Sequence, residues 1–321
     1  MELIDYLMNK SNNRACKLSV ILFSVYVLTA CSLEKNASTI LHLYTPVPTA
    51  TPTLIPTVTP VPAPIGQLSF VDRPDDYPGF YQVHVLYVVP KDFLSTTRYL
   101  DGSIDESMRL VNEWFASQKD GQFFVFDTYQ GKLDITYIPL SVTEDEILEY
   151  TKEKYGKYNS EISGLVNLSV AMEDFIYQLD EWSFASRKVY VAYFEISKSH
   201  VCGNGRSGYG YLVATLFPSA YSLRDQIDCS EFSDQSLDGI RGVWENIIAH
   251  EIIHVLGVPG YSSCPKHPDG DGAHILDPET PDDIMGSGMY SENPVLDPNH
   301  DDYYMIDKTC FDLADSPYLY P

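Results

Sequence analysis

An uncharged, proline-rich segment near the N-terminus limits how much of this chain can fold. Residues 45–64 read TPVPTATPTLIPTVTPVPAP and contain seven of the 21 prolines in the 321-residue sequence. A segment of this composition cannot form a packed core and favours an extended polyproline II conformation. We therefore expect a linker over residues 31–66 and a folded domain over residues 67–321.

The residues before the linker are typical of an export signal. A short basic stretch precedes an apolar run at residues 18–28, which is too short to span a membrane as a mature helix. The run ends in Leu28-Thr29-Ala30-Cys31, which resembles the lipobox of bacterial lipoproteins. The resemblance implies a signal peptide over residues 1–30 and a lipid on Cys31 that anchors the mature protein in the bacterial cell envelope, outside the cytoplasm. The alternative is an ordinary signal in which Cys31 is incidental.

The composition excludes one class of partner. Lys and Arg number 21 against 45 Asp and Glu, which gives a formal net charge of −24. Such a chain repels phosphate backbones, and the sequence shows no local basic stripe, so we expect no nucleic-acid partner. The hydrophobic fraction of 44% is sufficient for a buried core.

The first part of the folded domain alternates strand and helix patterns. Residues 83–89 form a β-rich run before Pro90, and a helix is expected from Ser103 to about Lys119. The other expected elements are strands at 122–128 and 133–139 joined by a Gln130-Gly131 turn, a helix at 162–179, and strands at 189–196 and 209–216. This order predicts an α/β (α+β) fold with a mixed twisted sheet. Residues after 257 are rich in Gly, Pro, Asp and Ser, which predicts an irregular C-terminal subdomain.

The strongest functional pattern is His250-Glu251-Ile252-Ile253-His254, inside an apolar segment at residues 243–256. A helix that is apolar all round is buried, so the polar residues within it need a reason. His250 and His254 lie one turn apart and project from one face, as ligands of a tetrahedral Zn²⁺ would. Glu251 lies beside that face, where it can take a proton from a zinc-activated water. The alternative is a core helix with two satisfied histidines.

The residues from His250 to Gly257 resemble the metzincin metalloprotease consensus H-E-x-x-H-x-x-G-x-x-H, and Asp283-Ile284-Met285 resembles its Met-turn. The tail also resembles a group of secreted bacterial metzincin-like proteins, at residues 264–267, 272–274, 297–304 and 312–317. The resemblance implies a metzincin-like catalytic domain around a central zinc-binding helix, with Glu251 as the general base. One position departs from the consensus, because Gly260 stands where the third histidine is expected.

The third zinc ligand must therefore come from a later residue. His274 is favoured because it follows the small residues Gly272-Ala273 and stands eleven residues before Met285. This gap resembles the one found in the more compact metzincins. His267 is the second choice. Pro265 and Pro268 constrain it, and its position near Cys264 suggests that it packs against the disulfide instead. Asp269 or Asp271 as an oxygen donor comes after both histidines, and His300 ranks last because it lies beyond Met285.

Four cysteines remain in the exported chain after Cys16 and Cys31 are set aside. An even number in an exported protein suggests two disulfides. We favour Cys202–Cys229 and Cys264–Cys310, because each closes a loop within one part of the domain.

A Ca²⁺ site is a further expectation from the acidic tail. Asp269-Gly270-Asp271 offers carboxylate oxygens, and Asp297, Asp301 and Asp302 add others nearby in sequence. The full twelve-residue calcium loop with its terminal Glu is absent. A solvated acidic loop is the alternative.

The pattern as a whole predicts a zinc-dependent endopeptidase that acts on a protein or peptide substrate. The substrate strand is expected to pair with an exposed sheet edge, for which residues 209–216 are the candidate. The alternative function is a surface-anchored binding module with a structural zinc site and no catalysis. A metalloprotease class whose third ligand is a Glu on a later helix is disfavoured, because no helix pattern follows residue 257.

Overall fold

The computed structural model describes twelve segments of the chain: residues 67–94, 98–118, 120–155, 161–179, 184–199, 201–208, 211–222, 227–232, 241–258, 274–275, 280–306 and 312–321. The expected signal peptide at 1–30 and the linker at 31–66, with Cys31, lie outside the described residues. The same is true of several expected site and disulfide residues, namely Gly260, Cys264, His267, Asp269, Asp271 and Cys310.

Eleven strands are present in the described residues. They are β1 (Gln67–Ser69), β2 (Gln82–Val89), β3 (Phe123–Phe124), β4 (Thr128–Tyr129), β5 (Lys132–Pro139), β6 (Lys188–Phe194), β7 (Gly203–Gly208), β8 (Tyr211–Leu216), β9 (Tyr221–Ser222), β10 (Ile227–Asp228) and β11 (Leu319–Tyr320). The main sheet has the order β1-β5-β2-β6-β8-β7, and β4 pairs with β5. Along this order, each strand in the series β1-β5-β2-β6-β8 runs parallel to the next, whereas β7 is antiparallel to β8.

The centre of the sheet is buried on both faces. Every residue of β2 and of β6 is buried, as expected for a parallel sheet with cover on each side. Val85 pairs with Ile135 on one side and with Val191 on the other, so β2 is a central strand. The prediction of a buried strand at 83–89 is confirmed.

Five α-helices accompany the sheet in the described part of the chain. They are α1 (Arg98–Asp101), α2 (Ser103–Ser117), α3 (Glu144–Tyr155), α4 (Glu161–Tyr177) and α5 (Val243–Val255). Helix α2 buries Met108, Val111 and Trp114 at helical spacing, as the sequence predicts. Helix α5 packs against β7, β8 and α2. The class is therefore α/β with a mixed, mostly parallel sheet.

Two strand predictions need correction. Of the expected strand at 122–128, only Thr128 pairs with β5 across the Gln130-Gly131 turn, as part of β4, and Phe123–Phe124 pairs instead with β11. Both turn residues have positive φ, which suits a tight hairpin. The expectation that residues 209–216 form an exposed sheet edge is wrong, because β8 lies between β6 and β7. The edge strand is β7, whose sequence GNGRSG lacks the apolar residues by which strands are recognised.

The Cys202–Cys229 disulfide is present, with a Cα–Cα distance of 5.7 Å. It lies beside helix α5, because the indole N–H of Trp244 donates to the carbonyl oxygen of Cys229. The described residues after α5 have short elements only, including two 3₁₀ turns, Ser287–Tyr290 and Leu313–Asp315, in agreement with the expected irregular region. Within the described segments, no helix has the length and apolar character needed to cross a membrane.

Candidate metal centre

Helix α5 brings two of the expected zinc ligands together. It begins after Gly242, whose backbone N–H donates to the Glu245 carboxylate over 2.6 Å. Apolar side chains bury almost all of its length, so the helix is fixed in the core. The one-turn spacing of His250 and His254 places their ring centroids 4.4 Å apart.

His274 completes a group of three imidazoles. Its ring centroid lies 5.3 Å from that of His250 and 5.2 Å from that of His254. One ring nitrogen from each of the three lies within 4.8 Å of the others. The structure therefore assembles the three histidines that the sequence favoured, although His274 lies beyond the helix that carries the other two. His300 is not in this group, and its Nδ1 lies 3.2 Å from the carbonyl oxygen of Tyr304.

Backbone carbonyls orient two of the three rings. Nδ1 of His250 lies 2.6 Å from the carbonyl oxygen of Ile284, and Nδ1 of His254 lies 2.9 Å from that of Val258. A carbonyl oxygen only accepts hydrogen bonds, so each Nδ1 carries the proton and each Nε2 carries the lone pair. Such hydrogen bonds are the usual support of metal-binding histidines.

The surroundings of His250 favour its neutral form, which is the form that binds a metal ion. Burial, followed by the neighbouring rings of His254 and His274, holds the pKa of His250 well below its ordinary value. His250 is therefore neutral at physiological pH, as a metal ligand must be. A dication placed among the three rings would be held by the lone pairs of neutral imidazole nitrogens.

Glu251 is buried between helix α5 and the edge strand β7. Its side chain is 8% exposed, and burial raises the pKa of its carboxyl to about 8, although a hydrogen bond from the backbone N–H of Gly205 acts in the opposite direction. A Cβ atom on Gly203 would lie 2.9 Å from Oε1, and one on Gly205 would lie 2.9 Å from Oε2. The strand can approach Glu251 only because both positions are glycine.

These two glycines are site residues that sequence reasoning missed. The run Gly203-Asn204-Gly205 lies far from the H-E-x-x-H pattern in sequence and has no strand character. Glycine at alternate positions of one strand is the signal that was available, since it marks a face that another backbone or side chain approaches closely.

A turn at residues 283–286 joins the helix to His274. The Ile284 carbonyl oxygen accepts a hydrogen bond from Nδ1 of His250, and the Met285 carbonyl oxygen accepts a 3.0 Å hydrogen bond from the backbone N–H of Ile275, the neighbour of His274. Asp283 fixes the turn, because its Oδ1 accepts from the Met285 backbone N–H at 2.7 Å and from the Tyr303 hydroxyl at 2.8 Å. The expected Met-turn residues are therefore directly beside the histidines, with the Met285 side chain fully buried.

Two further clusters of possible metal ligands are present. Asp283, Asp297 and Asp302 bring carboxylate oxygens within 4.8 Å of one another. Burial raises the pKa of Asp283 to about 7, and the charges of Asp297 and Asp302 raise it as well. Of the expected calcium ligands, Asp297 and Asp302 are thus in a common group, and the exposed Asp301 is outside it.

The other cluster already contains its own cations. Its four members are Asp72, His84, Asp127 and Asp134. Lys188 Nζ lies 2.6 Å from Asp127 and 2.8 Å from Asp72, and Arg73 pairs with Asp134. Burial raises the pKa of Asp127, while its contacts with His84 and Lys188 lower it. This cluster is a buried ionic network at one end of the sheet, in which Lys188 and Arg73 already offset part of the carboxylate charge.

No protein-family model matches this chain, and no curated protein matches it. Its class must therefore be inferred from the arrangement of His250, Glu251, His254 and His274.

Proposed function

We propose that this chain is a zinc-dependent endopeptidase of metzincin-like architecture, anchored to the bacterial cell envelope through a lipid on Cys31. The observation that carries the proposal is the convergence of His250, His254 and His274 next to the buried carboxyl of Glu251. Each of these residues was expected from the sequence to belong to one site.

The donor set suits zinc in particular. Neutral imidazole nitrogens are preferred zinc ligands, and catalytic zinc sites have three protein ligands with one position left for water. Carbonyl acceptors at Nδ1 direct the Nε2 lone pairs of His250 and His254 into the cluster. When bound, zinc would lower the pKa of a water molecule and polarise the scissile carbonyl.

Glu251 is suited to move the protons. Its carboxyl has a pKa of about 8 in the absence of a cation, and a dication beside it favours the ionised form that can act as a base. Glu251 takes a proton from the attacking water and later gives a proton to the leaving amine, so one side chain serves both transfers of peptide hydrolysis. Gly205 holds the carboxylate in position for this role.

The edge strand offers a place for the substrate. Among the described strands, β7 pairs with β8 only, so its other side is the end of the main sheet. An extended peptide can add to such an edge through main-chain hydrogen bonds. Because β7 also touches Glu251 and His254, a peptide paired with it would run past the histidine cluster. This assigns the substrate edge to β7 instead of residues 209–216.

The alternative, a surface-anchored binding module with structural zinc, is less well supported. Structural zinc sites are usually closed by four protein ligands. The histidine group found among the described residues has three members. A buried carboxyl with a raised pKa directly beside His250 in the sequence is also typical of a catalytic site.

The proposal is tested by digestion of a mixed peptide library with the mature chain. Peptide cleavage that stops when a chelator removes the metal and returns when Zn²⁺ is restored is the expected result. Zinc that binds in a 1:1 ratio without any cleavage would favour the binding module.

A further inference from the structure

A second, oxygen-rich site lies next to the histidine cluster. Asp283, Asp297 and Asp302 are 0%, 0% and 7% exposed, respectively, and one oxygen from each lies within 4.8 Å of the other two. Three carboxylates at this separation repel one another strongly away from water. Hydrogen bonds to Asp283 and Asp297 offset part of this repulsion, and a bound cation would offset the rest.

One carboxylate oxygen in this group is buried without a hydrogen-bond donor among the described residues, which indicates the kind of ligand that the group would bind. Oδ1 of Asp283 accepts two hydrogen bonds, from Met285 and Tyr303. Oδ2 of the same carboxylate is buried and accepts none from the described residues. A buried acceptor without a donor is costly, and a cation is the ligand that satisfies it.

The other members are held in position by the backbone. Oδ2 of Asp297 accepts hydrogen bonds from the backbone N–H groups of Tyr303 at 2.8 Å and Tyr304 at 2.7 Å. Asp297 itself has a φ of 44°, an unusual conformation for a residue other than glycine. The backbone of Asp297 is therefore held in a strained conformation in which its carboxylate lies in the cluster.

We propose that Asp283, Asp297 and Asp302 bind one Ca²⁺, and that this ion fixes the turn on which two of the zinc-binding histidines depend. All the proposed side-chain ligands are carboxylate oxygens, which suit calcium and do not suit zinc. Ca²⁺ binds oxygens at about 2.3–2.6 Å, so ligands on opposite sides of it lie about 4.6–5.2 Å apart. Backbone carbonyls or water would complete its shell.

The link to the zinc site passes through the turn at residues 283–286. Asp283 begins the turn. The Ile284 carbonyl oxygen accepts a hydrogen bond from His250, and the Met285 carbonyl oxygen accepts one from the backbone N–H next to His274. Gly286 lies against the same segment, since a Cβ there would be 2.3 Å from the Ile275 carbonyl oxygen. A calcium ion on Asp283 therefore restricts the acceptor of one zinc ligand and the backbone support of another. This coupling rests on the proposed zinc site, whereas the calcium site itself does not.

The experiment measures calcium binding directly, by titration calorimetry with CaCl₂ on the zinc-loaded mature chain. We expect one Ca²⁺ per chain, an increase in thermal stability, and much weaker binding of Mg²⁺. Asp302→Asn and Asp283→Asn should each weaken calcium binding on the order of tenfold or more, because each removes a ligand charge. Asp301→Asn is the matched control, since Asp301 is exposed, adjacent in sequence and outside the group; it should bind calcium as the wild type does.

The outcomes separate this proposal from the peptidase. No calcium binding by the folded wild-type chain, or unchanged binding in both Asp302→Asn and Asp283→Asn, would overturn the site. Zinc retention during dialysis, measured in the Glu251→Gln variant with and without calcium, tests the coupling. Faster zinc loss without calcium supports it and equal loss overturns it, and neither result depends on peptide cleavage.

Discussion

The backbone N–H of Gly205 donates a hydrogen bond to the carboxylate of Glu251, so the edge strand of the sheet holds the proposed general base. The contact joins the two parts of the proposed peptidase site. One is the strand with which a peptide is proposed to pair, and the other is the group proposed to move protons.

Gly205→Ala is expected to lower both stability and turnover. Its Cβ would lie 2.6 Å from the backbone oxygen of Glu251 and 2.8 Å from Cβ of His254, so strand and helix must move apart. Overpacking of this kind costs about 1–3 kcal/mol, and a displacement of about 1 Å in a catalytic site can lower turnover roughly 100-fold. Denaturant unfolding and peptide cleavage measure the two effects.

Asn204→Ala is the matched control for that change. Asn204 lies between the two glycines on the same strand, and its side chain points to the opposite face. Its substitution should leave turnover close to that of the wild type. An equal loss of activity in both variants would mean that the contact of Gly205 with Glu251 has no special role.

The third zinc ligand is tested by substitution of single histidines. His274→Ala should lose zinc during dialysis, because two protein ligands hold the ion far less firmly than three. His300→Ala should keep it, since His300 is outside the cluster. Metal analysis of the dialysed proteins decides the matter. Full zinc content in His274→Ala, together with zinc loss in His267→Ala, would transfer the role to His267.

The raised pKa of Glu251 predicts a pH effect on the metal-free protein. The carboxyl has a pKa of about 8 in the folded chain, against an ordinary value of 4.5. The folded state therefore holds a proton that the unfolded state releases, so stability falls as pH rises from 4.5 to 8. The slope is about 1.4 kcal/mol per pH unit at most. Glu251→Gln has no such proton to lose.

Unfolding of the two metal-free proteins at a series of pH values measures this difference. The free energy of unfolding of the wild type should fall relative to that of Glu251→Gln between pH 4.5 and 8, and then remain parallel to it. Zinc should reduce the effect, because a dication favours the ionised carboxylate. A constant difference across this pH range would show that Glu251 is not buried as described.

The anchor is tested with Cys31→Ser. A lipid on Cys31 would carry the chain into the detergent phase, and serine cannot accept it. The variant should partition into the aqueous phase and be found in the medium or periplasm. If the two proteins partition equally, Cys31 does not carry the anchor.

Local sequence patterns were sufficient for much of the fold and for the three clustered histidines. The apolar β-rich run at 83–89 and the helical spacing in α2 are properties of neighbouring residues, so both elements follow from sequence. His250 and His254 are one turn apart on a single helix, and the helix alone brings them together. Among the few histidines after Gly257, His274 is favoured because it follows Gly272-Ala273 and precedes Met285.

The remaining features depend on contacts between distant segments. Strand β7 has little strand propensity, and it is a strand because it pairs with β8 and packs on helix α5. The sequence places Asp283 in a turn. Its position beside Asp297 and Asp302 is visible only in the folded structure. Sheet order and clusters of this kind are set by tertiary packing, which local patterns do not encode.

The proposed role of Glu251 as the general base of a zinc peptidase is tested with the Glu251→Gln variant. Glutamine has nearly the same shape but cannot accept the proton, while the three histidines are unchanged. Zinc content and peptide turnover should be measured on the same samples, with the exposed Glu153→Gln as the control. We expect full zinc content with turnover reduced about 10²–10⁴-fold in Glu251→Gln, and wild-type values in the control. Undiminished turnover in a zinc-loaded Glu251→Gln protein would contradict this role.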